Sequence, residues 1–450
     1  MDAAYATDHA GEPGTAFDTP LVLRSSRDLL AAVPYLLGFR PRECVVVVAV
    51  TDEGRVGLVA RTGLPDLDGP VGDPGDEAGA GTTGSAAVVA RAAARVGARL
   101  ALVVLYTASP PDRVRAWEAA AVGALEESLG PTVDVETWLV GPDGYRGLDC
   151  TDPACCPAGG RPTSELEHGE VGAAFVVAGR AIARSEQEAY RVRTLPAGVR
   201  DRVAKAAGRA ERARAAAGDA TGAASREPAR ATPRATPRAT PRAAAPDGPG
   251  RWRTEAYGVW CDLVRQAAAE LRTCPAGDVE LPPARLGRLA VALADVRVRD
   301  AVLLSLVPGA REAADRTVRA GGDVDVPRDV ESGTARAIAR VVDPRVGVPP
   351  DGATADAARL VLEQLVGGAP RRWHAPPLAL LGFLAWWRGD GWLAARRVRE
   401  SARQDPSYRL AALVAGVLEA AVPPGWVSAA RGPAAEDLAG ATDVAGPTVG

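Results

Sequence analysis

From Leu100 to Val140 the chain spells strand, helix, strand, and no other stretch constrains the fold as much. "LALVVLYT" at 100–107 is a continuous apolar run, "TVDVETWLV" at 132–140 is rich in β-branched residues, and between them 111–129 reads as a helix with Trp117 inside it. Two strands joined through a helix of that length pair in parallel, and a strand apolar on both faces must be covered on both. Upstream, "ECVVVVAV" and "RVGLVARTGL" meet at "TDEG", which predicts a hairpin. Before them "TPLVLRSSRDLLAAVPYLLGF" predicts a short strand and a helix capped by Ser25 or Ser26. Leu29, Leu30, Val33, Leu36 and Leu37 form its apolar stripe, and Pro34 and Gly38 bend or end it. "FVVAGRAIARSEQEAY" at 175–190 adds one more element, helix or strand.

Residues 20–195 are therefore expected to form an α/β domain with a mixed or mostly parallel sheet, behind a disordered head at 1–19. A helix is expected at about 85–97, after a flexible Gly- and Asp-rich loop at 66–84. Residues 196–251 begin as an Ala/Arg helix former and become "ATPRATPRATPR", in which proline at every fourth position forbids a helix. The whole stretch reads as a linker. From 252 to 426 nearly everything has helical periodicity, and 427–450 reads as a frayed tail.

Net charge is −3, so composition gives no general reason to expect nucleic acid as a partner. The arginines of the linker, Arg226, Arg230, Arg234, Arg238 and Arg242, leave anion or nucleic-acid binding there as an alternative. No apolar run is long enough to cross a bilayer, and no basic start followed by an apolar run opens the chain. Six cysteines in 450 residues do not suggest a secreted disulfide framework, so the expectation is a cytoplasmic protein.

Several activities fit poorly. There is no Gly-Lys pair for a phosphate loop, no G-x-S-x-G elbow and no H-E-x-x-H, and Lys205 is the only lysine. Gly79, Gly81 and Gly84 spell G-x-G-x-x-G, but "DPGDEA" precedes them where a dinucleotide fold needs a strand. "RGD" at 388–390 reads as a tight turn between helices. The densest chemistry is "LDCTDPACCPAGGRP". Cys150, Cys155 and Cys156 are soft donors that could hold a metal, with His168 further along, although adjacent cysteines chelate one tetrahedral ion poorly and no C-x-x-C pair is present. The cluster follows a strand end, where open sheets place their sites. An enzyme or small-ligand site near Asp149, Cys150, Asp152, Cys155 and Cys156 is one alternative; no cofactor is indicated.

Four of nine tryptophans, Trp373, Trp386, Trp387 and Trp392, fall within Arg371–Arg397. Phe383, Trp386 and Trp387 share a helix face, so their first reading is core, and their second is an anchor for a partner protein through Trp386, Trp387 and Trp392. Around the turn at 389–391, Leu381, Gly382, Gly389, Asp390, Ala394, Val398, Ser401 and Pro406 fall at the spacing of a tetratricopeptide hairpin, with Ala385 where tyrosine is usual. Only one such unit is evident.

"DLLAAVPYLLGFRPRECVVVV", "LDCTDPACCPAGGRP", "RWHAPPLALLGFLAWWRGDGWLA" and "QDPSYRLAALV" together resemble the actinobacterial proteins grouped as domain of unknown function 4192. The resemblance implies a bacterial protein of high-GC origin and transfers no catalytic residue. The leading expectation is a regulatory or scaffold protein, without enzymatic activity, that binds another protein through its helical domain.

Overall fold

The computed structural model describes residues 5–7, 21–52, 54–64, 89–129, 133–157, 159–178, 182–224, 248–273, 279–319 and 328–429. They fall into two compact units: residues up to Arg191 with Val417–Pro423, and Val192–Gly416 with Pro424–Trp426.

The first unit is built on a five-stranded mixed sheet in the order β4-β3-β5-β6-β7. Strands β3 (Cys44–Thr51) and β4 (Val56–Gly63) form the expected antiparallel hairpin. β3 also pairs antiparallel with β5 (Ala98–Tyr106), which pairs in parallel with β6 (Asp134–Val140). This is the one parallel pair among the described strands, and its crossover is helix α3 (Pro111–Leu129). Alternation along β3 and β5 sends two sets of side chains to opposite faces. Val46, Val48, Leu102 and Val104 pack on one face with Leu29, Leu30 and Val33 of α1 (Ser26–Leu37). Val47, Val103 and Leu105 pack on the other with Val114 and Trp117 of α3 and with Ala90 and Ala93 of α2 (89–95). α1 is capped by Ser25, whose hydroxyl accepts from Asp28 N, and ends at Gly38 in the left-handed region.

Strand β7 (Tyr145–Gly147) was not legible in the sequence; it adds an antiparallel edge beside β6. The segment at 175–190 resolves into two helices, α5 (Glu170–Val177) and α6 (Glu186–Ala189), after the short α4 (Ser164–Glu167). Within the expected disordered head, Tyr5–Thr7 (β1) pairs antiparallel with Leu21–Leu23 (β2). The Gly-rich loop at 66–84 and the residues after 429 lie outside the described residues.

The second unit is helical: α7 (Ala197–Ala224), α8 (Gly248–Thr273), α9 (Pro283–Ala292), α10 (Val296–Leu306), α11 (Arg311–Arg319), α12 (Arg328–Val342), α13 (Gly352–Gly368), α14 (Ala375–Trp387), α15 (Gly391–Gln404), α16 (Arg409–Glu419) as far as Gly416, and the first residues of α17 (Gly425–Ala429). The stretch read as a linker from 196 therefore opens with α7, an integral helix whose Val203 and Ala207 are buried. Its crossing with α9 explains why. A Cβ on Gly287 would come within 2.4 Å of Val203 O and 2.6 Å of Ala206 Cβ, so only hydrogen fits between the helices. The proline run that follows, 225–247, lies outside the described residues.

Every residue of α14 is buried, as a helix apolar all round must be. Trp387 is fully buried and Trp386 is 5% exposed, which favours the core reading of this pair. Trp387 Nε1 donates to Val348 O at 3.1 Å, and its own carbonyl accepts from Trp426 Nε1 at 2.8 Å. Trp392 is half-buried, with the Arg399 guanidinium over its ring. α14 and α15 form a close hairpin in which a Cβ on Gly382 would lie 2.8 Å from Val398 Cγ2. Ser401 Oγ donates to Ala375 O across it. Asp390 caps α15 by accepting from Leu393 N at 2.8 Å.

Two outcomes follow from this packing. Gly287→Ala lowers the unfolding free energy by about 1–3 kcal/mol, read from denaturant midpoints, because backbone must move to admit the methyl. For Asp390, exclusion of water outweighs the Leu393 amide and the Arg397 charge and pushes its carboxyl up to about 6. The folded value lies above the unfolded one, so the fold favours the protonated form: this contribution is present in full below about pH 4 and is lost as pH rises through about 6. Asp390→Asn keeps a capping side chain and flattens that decline, with a gain on the order of 1–2 kcal/mol at pH 7 after allowing for solvent at this half-buried turn.

Candidate metal centre

The cysteine cluster sits on a loop that leaves strand β7 and returns to it. At its start, Leu148 N donates to Thr137 O at 2.9 Å. At its end, Tyr145 and Arg161 exchange both backbone hydrogen bonds at 2.8 Å. Gly160, with φ +76°, makes that closure, and a Cβ there would lie 3.2 Å from Tyr145 N. Because β7 runs antiparallel to β6, it carries the chain back along the sheet. The cysteines thus lie at the sheet edge beside Glu136–Trp138, not outside the carboxyl ends of β5 and β6 as the sequence position suggests.

Asp152 shapes the loop. Its carbonyl accepts from Cys155 N at 3.1 Å and Cys156 N at 2.8 Å, and its Oδ1 accepts from Ala154 N at 2.9 Å. A side-chain oxygen bonding two residues on is what lets aspartate fix a tight turn. The turn brings Cys155 Sγ and Cys156 Sγ to 3.9 Å from each other. With Cys150 Sγ, all three sulfurs lie within 4.8 Å of one another. The turn therefore sets two neighbouring cysteine sulfurs side by side. A tetrahedral ion with Zn–S bonds of about 2.3 Å places its sulfurs about 3.8 Å apart, so the cluster needs only a small contraction. His168 is not among these donors; it caps α4, with Nδ1 3.0 Å from Ser164 O.

Both sheet faces anchor the loop. On the α1 side, Arg27 Nη2 donates to Cys155 O at 3.4 Å and lies 3.7 Å from Cys155 Sγ, while Ser26 Oγ donates to Glu136 at 2.6 Å. Tyr145 OH donates to Glu165, whose carboxylate also accepts from Arg161 Nε at 2.8 Å. That guanidinium holds the Glu165 carboxyl below the usual range, and burial, followed by the Glu165 bond, pushes the Tyr145 phenol up. On the α3 side, Thr137 Oγ1 lies 2.6 Å from both Glu118 Oε1 and Asp149 Oδ2. Arg115 binds Glu118 at 2.7 Å and Leu148 O at 2.9 Å. Arg27, Thr137 and Asp152 therefore support the cluster from three directions. Asp152 is legible in the sequence as part of the cysteine motif, whereas Arg27 and Thr137 are not, because both are remote from the cysteines along the chain.

The thiols are not equivalent. Cys150 is exposed, and a backbone hydrogen bond at Asp152, then the neighbouring thiols, draw its pKa down. Burial pushes the Cys156 thiol up, ahead of the Gly147 amide that opposes it. Cys44 and Cys261 are pushed up chiefly by burial.

The chain matches, over residues 27–320 and 337–425, the family described as a domain of unknown function (DUF4192), and it belongs to that family. No curated protein and no solved structure matches it.

Alkylation of the reduced chain with iodoacetamide, mapped by mass spectrometry against pH, should label Cys150 first and at the lowest pH. Cys156 should follow at higher pH, and Cys44 should resist until unfolding.

Proposed function

We propose that the α/β unit binds a thiophilic divalent cation, zinc in the first instance, through Cys150, Cys155 and Cys156. The observation that carries this reading is the convergence of three sulfurs within 4.8 Å on one supported loop. Thiolate donors select zinc over hard cations, and each must lose its proton to bind. Three thiolates and a divalent ion leave one negative charge, which the Arg27 guanidinium beside Cys155 offsets. The ion would set the shape of a loop that touches both faces of the sheet, which suits a regulatory role without catalysis of its own. A reducing compartment, the cytoplasm, is the setting that keeps such thiols free.

The α14–α15 pair is read as a tetratricopeptide-like hairpin, supported by the close approach of Gly382 to α15 and by the Asp390 cap. Docking of a partner protein through its tryptophans has less support, since Trp386 and Trp387 lie in the core.

Titration of the metal-free chain with cobalt(II) tests the proposal. The expected result is about one equivalent bound, with sulfur-to-cobalt charge-transfer absorption that zinc displaces. Replacing any one of the three cysteines by serine should weaken binding by at least about tenfold. A spectrum unchanged from cobalt in buffer, or unaffected by all three substitutions, would refute it.

A further inference from the structure

We propose that this metal site is controlled by oxidation: a hydroperoxide joins Cys150 to Cys156 as a disulfide, and the ion leaves. Release of the ion rests on the metal reading above; formation of the disulfide does not.

Geometry selects the pair. Cys150 and Cys156 approach each other over Gly147. A Cβ on that glycine would lie 3.2 Å from Cys150 Cβ and 3.6 Å from Cys156 Sγ, so both side chains rest against a position that only hydrogen leaves open. The Gly147 amide also donates to Cys156 Sγ at 3.3 Å, holding that sulfur at the glycine against which Cys150 Cβ rests. Cys155 Sγ is also near, 3.9 Å from Cys156 Sγ, but its carbonyl and its sulfur are both engaged by Arg27. A bond between the adjacent Cys155 and Cys156 would also close a small strained ring, which the unstrained alternative avoids. Cys150 is the exposed member, open to an oxidant from solvent, with a resolving thiol beside it. That combination is what a peroxide-sensing thiol pair requires.

The steps balance. The Cys150 thiolate attacks one oxygen of hydrogen peroxide, the O–O bond breaks, and hydroxide leaves and takes a proton to become water. Sulfur is now a sulfenic acid. The Cys156 thiolate attacks that sulfur, the S–O bond breaks, and a second hydroxide leaves as water once protonated. Two electrons pass from the two thiolates to one peroxide. The ion then keeps one of its three thiolates and dissociates.

The experiment treats zinc-loaded full-length chain with hydrogen peroxide while a chromophoric chelator reports free zinc. Trypsin then cuts after Arg146 and Arg180, since Pro162 protects Arg161, and yields one peptide that holds all three cysteines. One zinc should be released for every two thiols lost, and the peptide should be lighter by two hydrogens, with fragmentation blocked between Cys150 and Cys156. In metal-free chain Cys155→Ser should still form the bond and Cys156→Ser should not, while Gly147→Ala should slow it by about tenfold by keeping the sulfurs apart. A Cys155–Cys156 bond, a bond between chains, or zinc retained after both thiols are oxidised would overturn the proposal. Zinc that never loads would instead refute the metal reading, and the metal-free arm would still decide whether this disulfide forms.

Discussion

Between Leu100 and Tyr106, strand β5 offers no polar side chain to water, and the rest of the α/β unit follows from that. A strand buried on both faces needs a strand on each edge and a helix layer above and below. β3 and β6 supply the edges, α1 covers one face, and α2 and α3 cover the other. Side chains of β6 alternate between these layers. That places Glu136 and Trp138 on the α1 face and Thr137 on the α3 face. The cysteine loop is gripped from both sides because it crosses the edge of that alternation.

Much of this frame was legible because it rests on local signals. The apolar run of β5, the crossover helix at 111–129 and the Ser25 cap each declare themselves within a few residues. What was hidden depends on long-range approach. α7 looks like the start of a linker because its composition is Ala and Arg; only the missing side chain of Gly287, some eighty positions on, reveals the helix it packs against. β7 is three residues long, too short for any period to show, yet it decides which end of the sheet the cysteines occupy.

The candidate site divides in the same way. Its donors were readable as residue types in one motif, but their convergence was not, because spacing alone argues against adjacent ligands. The Asp152 turn, which sets Cys155 beside Cys156, rests on hydrogen bonds to the Asp152 carbonyl and carboxylate. The tryptophan-rich segment shows the reverse case. Its apolar content was visible, and burial turned a choice between core and surface into core, with Trp387 bridging the segments at Val348 and Trp426.

The loop that leaves β7 and comes back to it behaves as a lasso. Its knot, the backbone pair between Tyr145 and Arg161, isolates the sulfurs from the chain on either side. On the proposed reading, a change in how they are held would be relayed sideways, not along the chain. One outlet is the Arg27 guanidinium into the opening turn of α1; the other is Asp149 and the Thr137 hydroxyl into α3. The two helices that roof the sheet would thus feel the same event from opposite sides.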